Sequence, residues 1–210
     1  ITATTFVLNG TLRASGDFTG GFETGGGSGG GIGLTVGSLS GSGTIAANGG
    51  PSTGGDAGSG GGGRIVIVYD SLTLPATNIT ARAGNSSAYP GSAGTVYLKN
   101  NAAANGDLIV DNGGLSSSVK TSLKTHLVVF RSVTIQNSGQ LNVVSGDVPG
   151  FTVEQPVILS SNATLTLNSG VTMTVSNASG FDLVVPSGTV ATLGSGSALN
   201  ADRVRISGGT

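Results

Sequence analysis

The sequence predicts an all-β chain coiled as a solenoid, a parallel β-helix. Three observations carry this expectation. Apolar residues alternate with polar or small ones over short runs, the period of a strand with one buried face. Such runs recur at near-constant spacing in two separate places of a unit about 30 residues long. Glycine tracts, Gly25 to Gly31 and Gly60 to Gly63, open directly into the runs that begin at Ile32 and at Arg64-Ile65. A glycine tract has too few side chains to bury anything, so each hands over to a strand that must bury one face.

Composition supports strands over helices. Of 210 residues 39 are glycine, 9% are charged and 37% are hydrophobic. A disordered chain would carry more charge and less Val, Ile and Leu, and no run approaches the ~18 apolar residues of a spanning helix. Glycine, β-branched residues, Ser, Thr and Asn all disfavour helix, which leaves strands and turns. A net charge of -1 offers no electrostatic footprint for nucleic acid or an anionic membrane surface, and without a long apolar run no membrane insertion is expected either. With no cysteine and one histidine, disulfide scaffolds, thiolate zinc sites and cysteine nucleophiles are excluded. The chain begins at Ile1 without Met and stops at Thr210 inside a strand-turn pattern, so it reads as a mature product or an excised piece. Asn-X-Ser/Thr sequons begin at Asn9, Asn78, Asn85, Asn162 and Asn177, in a chain rich enough in these residues to produce several by chance.

In the first half each unit holds two short strands. The first is read at Ile32-Leu34-Val36, Ile65-Ile67-Tyr69 and Val96-Leu98, with steps of 33 and 31 positions between Ile32, Ile65 and Val96. The second is read at Leu12-Ala14, Ile45-Ala47, Ile79-Ala81 and Leu108-Val110, with steps of 33, 34 and 29. Each second strand runs into a glycine (Gly16, Gly49, Gly84, Gly113), as a reversal with positive φ would require. The insertions Asp17 to Gly31 and Gly49 to Gly63 are 15 residues each, and equal length predicts that they stack as close-packed extended strands along one side. A third insertion, Gly84 to Gly94, is shorter and carries Tyr89-Pro90.

The pattern breaks from Leu115 to Thr125, read as a turn-rich crossover or one short helical turn. Shorter coils follow. Val133-Ile135 with Leu141-Val143 matches Val157-Leu159 with Leu165-Leu167 at an offset of 24, and Thr172-Val175, Phe181-Val185, Val190-Leu193, Leu199-Ala201 and Val204-Ile206 continue the series. Two continuous segments are therefore expected, 1–115 with glycine-rich coils of period about 30 and 116–210 with coils of period about 18–24. No coil can fold alone, because each would expose an apolar face and two unpaired edges.

The stretches GGGSGGGIGLTVGSLSGSGTIAANGG, GGGGRIVIVYDSLTLPATNITARAG and AGTVYLKNNAAANGDLIVDNGG resemble the glycine-rich repeats of very large bacterial surface and secreted proteins, adhesin-like and autotransporter-passenger-like. The resemblance covers residues 1–115; SNATLTLNSG and SGQLNVVSG are similar to the more generic coils of such proteins. It implies a right-handed parallel β-helix, an extracellular or cell-surface location and a structural, adhesive or filament role. No catalytic signature accompanies it.

A search for chemistry assigns no catalytic, cofactor-binding or metal-binding residue. His126 has no triad or ligand partner nearby in sequence. Asp107 and Asp111 share the face opposite Leu108 and Val110, but four residues of strand separate them by ~13 Å, beyond the ~5 to 9.5 Å of glycosidase pairs. Asp70 and Glu154 stand alone in their runs. The calcium-roll nonapeptide is absent: Gly54 to Gly58 holds the single Asp56, and Asp17 lies in no matching context. The glycine tracts lack a following Lys-Ser or Lys-Thr and lead into strands, so they are not phosphate loops. For sugar stacking, Tyr97 is expected to face outward, Tyr89 lies in an insertion and Tyr69 falls on the inward register.

The expected function is a non-catalytic extracellular structural or adhesive protein, a rod or filament segment at the cell surface, with self-association or neighbouring coils of a longer chain, and surface glycans, as its partners. The competing class is a carbohydrate-binding or polysaccharide-degrading β-helix protein. Ice or crystal binding would need outward Thr columns, whereas Thr35, Val68 and Lys99 share one outward position. A β-sandwich is the alternative fold.

Overall fold

The computed structural model describes residues 1–18, 24–52, 56–86 and 89–210. The first half contributes β1 (Thr2–Val7), β2 (Thr11–Arg13), β3 (Gly31–Ser40), β4 (Thr44–Ala46), β5 (Arg64–Leu72), β6 (Ile79–Thr80) and β7 (Thr95–Asn100). There follow β8 (Asp107–Asp111), β9 (Thr121–Ser122), β10 (Val129–Phe130), β11 (Ser132–Gln136), β12 (Gln140–Val143), β13 (Gly150–Val153) and β14 (Val157–Leu159). The chain continues through β15 (Thr164–Leu167), β16 (Thr172–Val175), β17 (Leu183–Pro186), β18 (Val190–Leu193), β19 (Ala198–Asn200) and β20 (Val204–Ser207). One 3-10 turn, Ala76–Asn78, is the sole helical element among the described residues.

One nine-stranded sheet runs the length of the molecule in the order β1-β3-β5-β7-β8-β11-β14-β17-β20. Three shorter sheets accompany it: β2-β4-β6 beside the first half, and β9-β12-β15-β18 and β10-β13-β16-β19 beside the second. Among the described residues every pairing between these strands is parallel except that of β7 with β8, and an isolated bridge from Pro186 to Gly208 is antiparallel. Parallel neighbours cannot be joined by a tight turn, so the chain crosses other strands before it returns. Accordingly β3 and the next strand in sequence, β4, lie in different sheets.

Apolar columns set the register. Ile32 pairs with Ile65 and Ile65 with Val96, while Leu34 pairs with Ile67 and Ile67 with Leu98. A slip by one residue would turn each buried column to solvent, so one register dominates. The expected steps from Leu12 to Ile45 to Ile79 are the partners of β2, β4 and β6. In the second half Val133 pairs with Val157 and Leu141 with Leu165, the expected offset of 24. Full burial of each such side chain contributes about 1.5–3 kcal/mol. Leu141 is wholly buried and Ile158 is 50% exposed on the outer face. Leu141→Ala is therefore expected to cost about 2–5 kcal/mol and Ile158→Ala about 0.5 or less, read as the shift in denaturant midpoint.

Two expectations need correction. Leu108-Val110 does not extend the Leu12, Ile45, Ile79 column; it forms β8 in the nine-stranded sheet and pairs antiparallel with β7. Only residues 101–106 connect these strands, which suffices for a hairpin and not for a parallel crossover. The second half also carries a third strand family, β10, β13, β16 and β19, which supplies Phe130, Phe151, Val153 and Met173 to the core. The stretch after Leu115 is irregular chain with a bend at Ser118 and Val119 leading to β9, with no helical turn.

The antiparallel join has a large consequence. Val96 lies opposite Ile109, Tyr97 opposite Leu108 and Leu98 opposite Asp107, and paired residues point to the same side of a sheet. The side that buries Val96 and Leu98 in the first half thus carries Asp107 and Ile109 in the second. Buried residues accordingly fall into two clusters, one with Leu34, Ile67 and Leu98 and the other with Leu108, Ile135 and Leu165. The two cores occupy opposite faces of one continuous sheet.

Candidate functional site at the inverted junction

The glycine tracts build a wall beside the first core. Gly27 and Gly30 donate backbone N–H groups to Asp17 O and Ala14 O, while Gly26 and Gly29 donate to Gly58 O and Gly61 O. The next tract repeats this, with Gly60 and Gly63 bonding Gly50 O and Ala47 O, and Ser59 and Gly62 bonding Tyr89 O and Ser92 O. Donation in each direction recurs every third residue. That is the period of a three-residue turn such as polyproline II, not the period of two in a pleated strand. The expected side-by-side packing of the insertions holds for these residues; the intervening positions 19–23, 53–55 and 87–88 lie outside the described residues.

Glycine at Gly16, Gly49 and Gly84 has a different cause from the expected positive φ, which among the four reversal glycines is found at Gly113. A Cβ at Gly16 would lie 1.8 Å from Gly27 O, at Gly49 2.0 Å from Gly60 O, and at Gly84 2.0 Å from Gly50 O. Close approach of backbones, not chain reversal, requires them. At the far end side-chain hydroxyls take over: Ser59 Oγ accepts from Gly91 N and donates to Gly84 O, Ser117 Oγ donates to Pro90 O, and Thr121 Oγ1 donates to Ala93 O.

Where the cores change sides, each half overhangs the outward face of the other, and a cleft forms on each side of the sheet. One, of about 190 Å³, lies between the end of the first half and the outer face of β8 and β11, lined by Ile79, Thr80, Arg82, Ile109, Gln136 and Asn137. The Asp111 carboxylate there accepts from Gly113 N at 2.6 Å, Gln136 Nε2 at 2.9 Å and Asn137 Nδ2 at 3.1 Å, with Arg82 Nε at 4.0 Å. Arg82 Nε is buried without a hydrogen-bond partner and lies across Gly113, where a Cβ would come within 2.7 Å of it. The other cleft, of about 210 Å³, lies under the loop from Ser122 to Leu127, against Val66, Tyr97, Leu108 and Phe130, with Arg64 and Lys124 also lining it.

The remaining residues singled out in sequence are dispersed. Asp107 accepts from Arg131 and from Ser132 Oγ, Asp70 Oδ1 from Asn101 Nδ2 at 2.7 Å, and Glu154 Oε1 from Asn105 Nδ2 at 2.8 Å. His126 is exposed on the loop after β9. No group of three His, Asp or Glu side chains converges among the described residues. Tyr89 is 61% exposed. Tyr97 corrects the expectation of an outward aromatic: the face outward in the first half becomes the inner face of the second, so Tyr97 packs against Phe130 edge-on at 6.3 Å and its hydroxyl accepts from Gly106 N. The clefts escape sequence reasoning because they exist only once two cores share a sheet.

No protein-family model, curated protein or solved structure matches the chain.

Proposed function

We propose that the chain is a right-handed parallel β-helix with a non-catalytic structural or adhesive role, a rod or filament segment at the cell surface or outside the cell. The single observation that carries this reading is the nine-stranded sheet, to which the chain returns in sequence order through strands in flanking sheets. Strand-crossover-strand units of this kind are right-handed in about 98% of cases. The inversion at β7 and β8 keeps the hand. Reversing both the strand direction and the core side is a rotation by half a turn about the stacking axis, and a rotation cannot change handedness.

In this reading the mechanism is mechanical. Continuous backbone ladders and apolar columns resist bending, and the glycine wall adds a layer bonded in two directions. Strand edges and the outward Thr, Ser and Asn residues serve self-association with further copies and contact with surface glycans. The resemblance of residues 1–115 to glycine-rich bacterial surface repeats supports the location. The polar cleft at Arg82, Gln136 and Asn137 favours a second reading, a carbohydrate-binding or polysaccharide-degrading β-helix protein. Electron microscopy of the native material separates them: regular filaments containing the chain are expected, and a soluble monomer that cleaves polysaccharide would overturn the structural reading.

A further inference from the structure

We propose that the cleft between β5, β7 and the loop from Ser122 to Leu127 binds a small aromatic carboxylate, with the ring inside and the carboxylate on Arg64. The proposal does not depend on the rod reading, because it rests on the walls of this one cavity.

Three features define the ligand. First, one part of the wall is apolar: Val66, Leu108, Leu123 and Leu127 accompany the edge-to-face pair Tyr97 and Phe130, themselves at 6.3 Å and 75°, while Thr95, Ser122 and Thr125 complete the lining. Recognition pockets combine such walls with a few polar groups that fix orientation. Phe130 in turn meets Phe151 at 6.0 Å and 81°, so a bound ring extends an existing aromatic series. Second, the volume of about 210 Å³ suits one ring with one substituent; for scale, an apolar protein cavity of about 150 Å³ binds benzene.

Third, charge is concentrated on one side. Arg64 and Lys124 line this cleft and also an adjoining open recess of about 510 Å³ that includes His126 and Asp147. Lys124 Nζ faces Asp147 at 3.8 Å, whereas Arg64 has no ion pair among the described residues and only a long contact, 3.5 Å, from Nη2 to Lys124 O. A guanidinium free of a carboxylate and next to an apolar cavity matches a ligand with an apolar body and an anionic head. Its fork engages a carboxylate with two parallel hydrogen bonds, which Lys124 cannot do.

The test is a nuclear magnetic resonance titration of the full chain with benzoate and with benzyl alcohol, which has the ring without the charge. Benzoate is expected to shift the methyl resonances of Val66, Leu108 and Leu123, and to bind at least about tenfold more tightly than benzyl alcohol. Arg64→Gln is expected to weaken benzoate by about that factor and leave benzyl alcohol unchanged. Val66→Trp, which fills the cavity, is expected to abolish both; where that variant misfolds, the Arg64→Gln comparison alone decides. Equal affinity of the two probes, indifference of benzoate to Arg64→Gln, or shifts at another surface would each overturn the proposal. So would the absence of benzoate binding, and self-association that Val66→Trp removes would then make the cavity a socket for a second copy.

Discussion

Adding one methyl group at Gly60 is expected to destabilise the protein by about 3 kcal/mol or more, well above the usual cost of a surface substitution. An alanine Cβ there would lie 1.9 Å from Gly27 O, 2.4 Å from Gly27 C and 2.9 Å from Ser28 N. All three are backbone atoms, so no side chain can swing away. Relief requires the tracts to separate, and Gly60 holds two of them: its N–H bonds Gly50 O and its carbonyl accepts from Gly84 N, both at 2.9 Å. Gly50 N in turn bonds Gly27 O at 2.8 Å, so the displacement spreads through three tracts. For a chain of this length the loss corresponds to a fall in Tm of about 6–12 °C. Gly61→Ala is the control. Its Cβ would meet nothing nearer than Ser92 O at 3.5 Å, and the backbone has no left-handed φ, so a change of about 0.5 kcal/mol or less is expected. Equal calorimetric effects of the two substitutions would mean that the wall is not closely packed in solution.

That contrast also shows what glycine does in this chain. A flexible linker would tolerate alanine at either position, and so would a tract kept only for solubility. The three-residue periodicity of donation makes neighbouring residues inequivalent: a Cβ at Gly60 would run into the Gly27 backbone, whereas one at Gly61 would keep ordinary contact distance from Ser92 O. Sterically obligatory glycines, Gly60, Gly62 and Gly63, and a tolerant one, Gly61, therefore stand side by side within one tract that looks uniform in sequence.

Much of the architecture was legible from the pattern of apolar residues. Ile32, Ile65 and Val96 had to align because a stacked column buries its members together, and spacing alone reveals that alignment. The direction of a strand and the face on which its core lies are not encoded by alternation, since Leu108-Ile-Val110 reads the same either way. The length of the connection does carry the direction: residues 101–106 are too few for a parallel crossover, so a hairpin is the short connection open to them. The misassigned Tyr97 follows from the same point, because its exposure depends on which side the next core occupies. Phe130 was missed because its strand, β10, is two residues long and carries no period of its own. The acidic residues look isolated in sequence, and the Arg, Asn, Gln and Ser donors that meet them come from distant positions that only the register brings near.

Phe130→Ala provides the second large effect, and its distribution along the chain tests the inverted junction. Phe130 is 1% exposed and sits between Tyr97 and Phe151, edge-on to both. Truncating a buried phenylalanine costs about 3–5 kcal/mol, most of it transfer energy and the cavity left behind. The two cores lie on opposite faces of the sheet and share β7 and β8, with polar contacts such as Arg82 to Asp111 and Thr121 to Ala93 O beside them, so the cavity should weaken the second core more than the first. In stacked folds stability is a sum of unit and neighbour terms, and a lesion in one region can uncouple it from the rest. Hydrogen exchange is expected to show lost protection for the amides of β10, β11, β13 and β16, with β3 and β5 close to wild type. Denaturant unfolding should then separate into two transitions. A uniform loss of protection from β1 to β20 would show instead that the shared sheet couples the cores into one cooperative unit, and that the junction is not the weak point that its geometry implies.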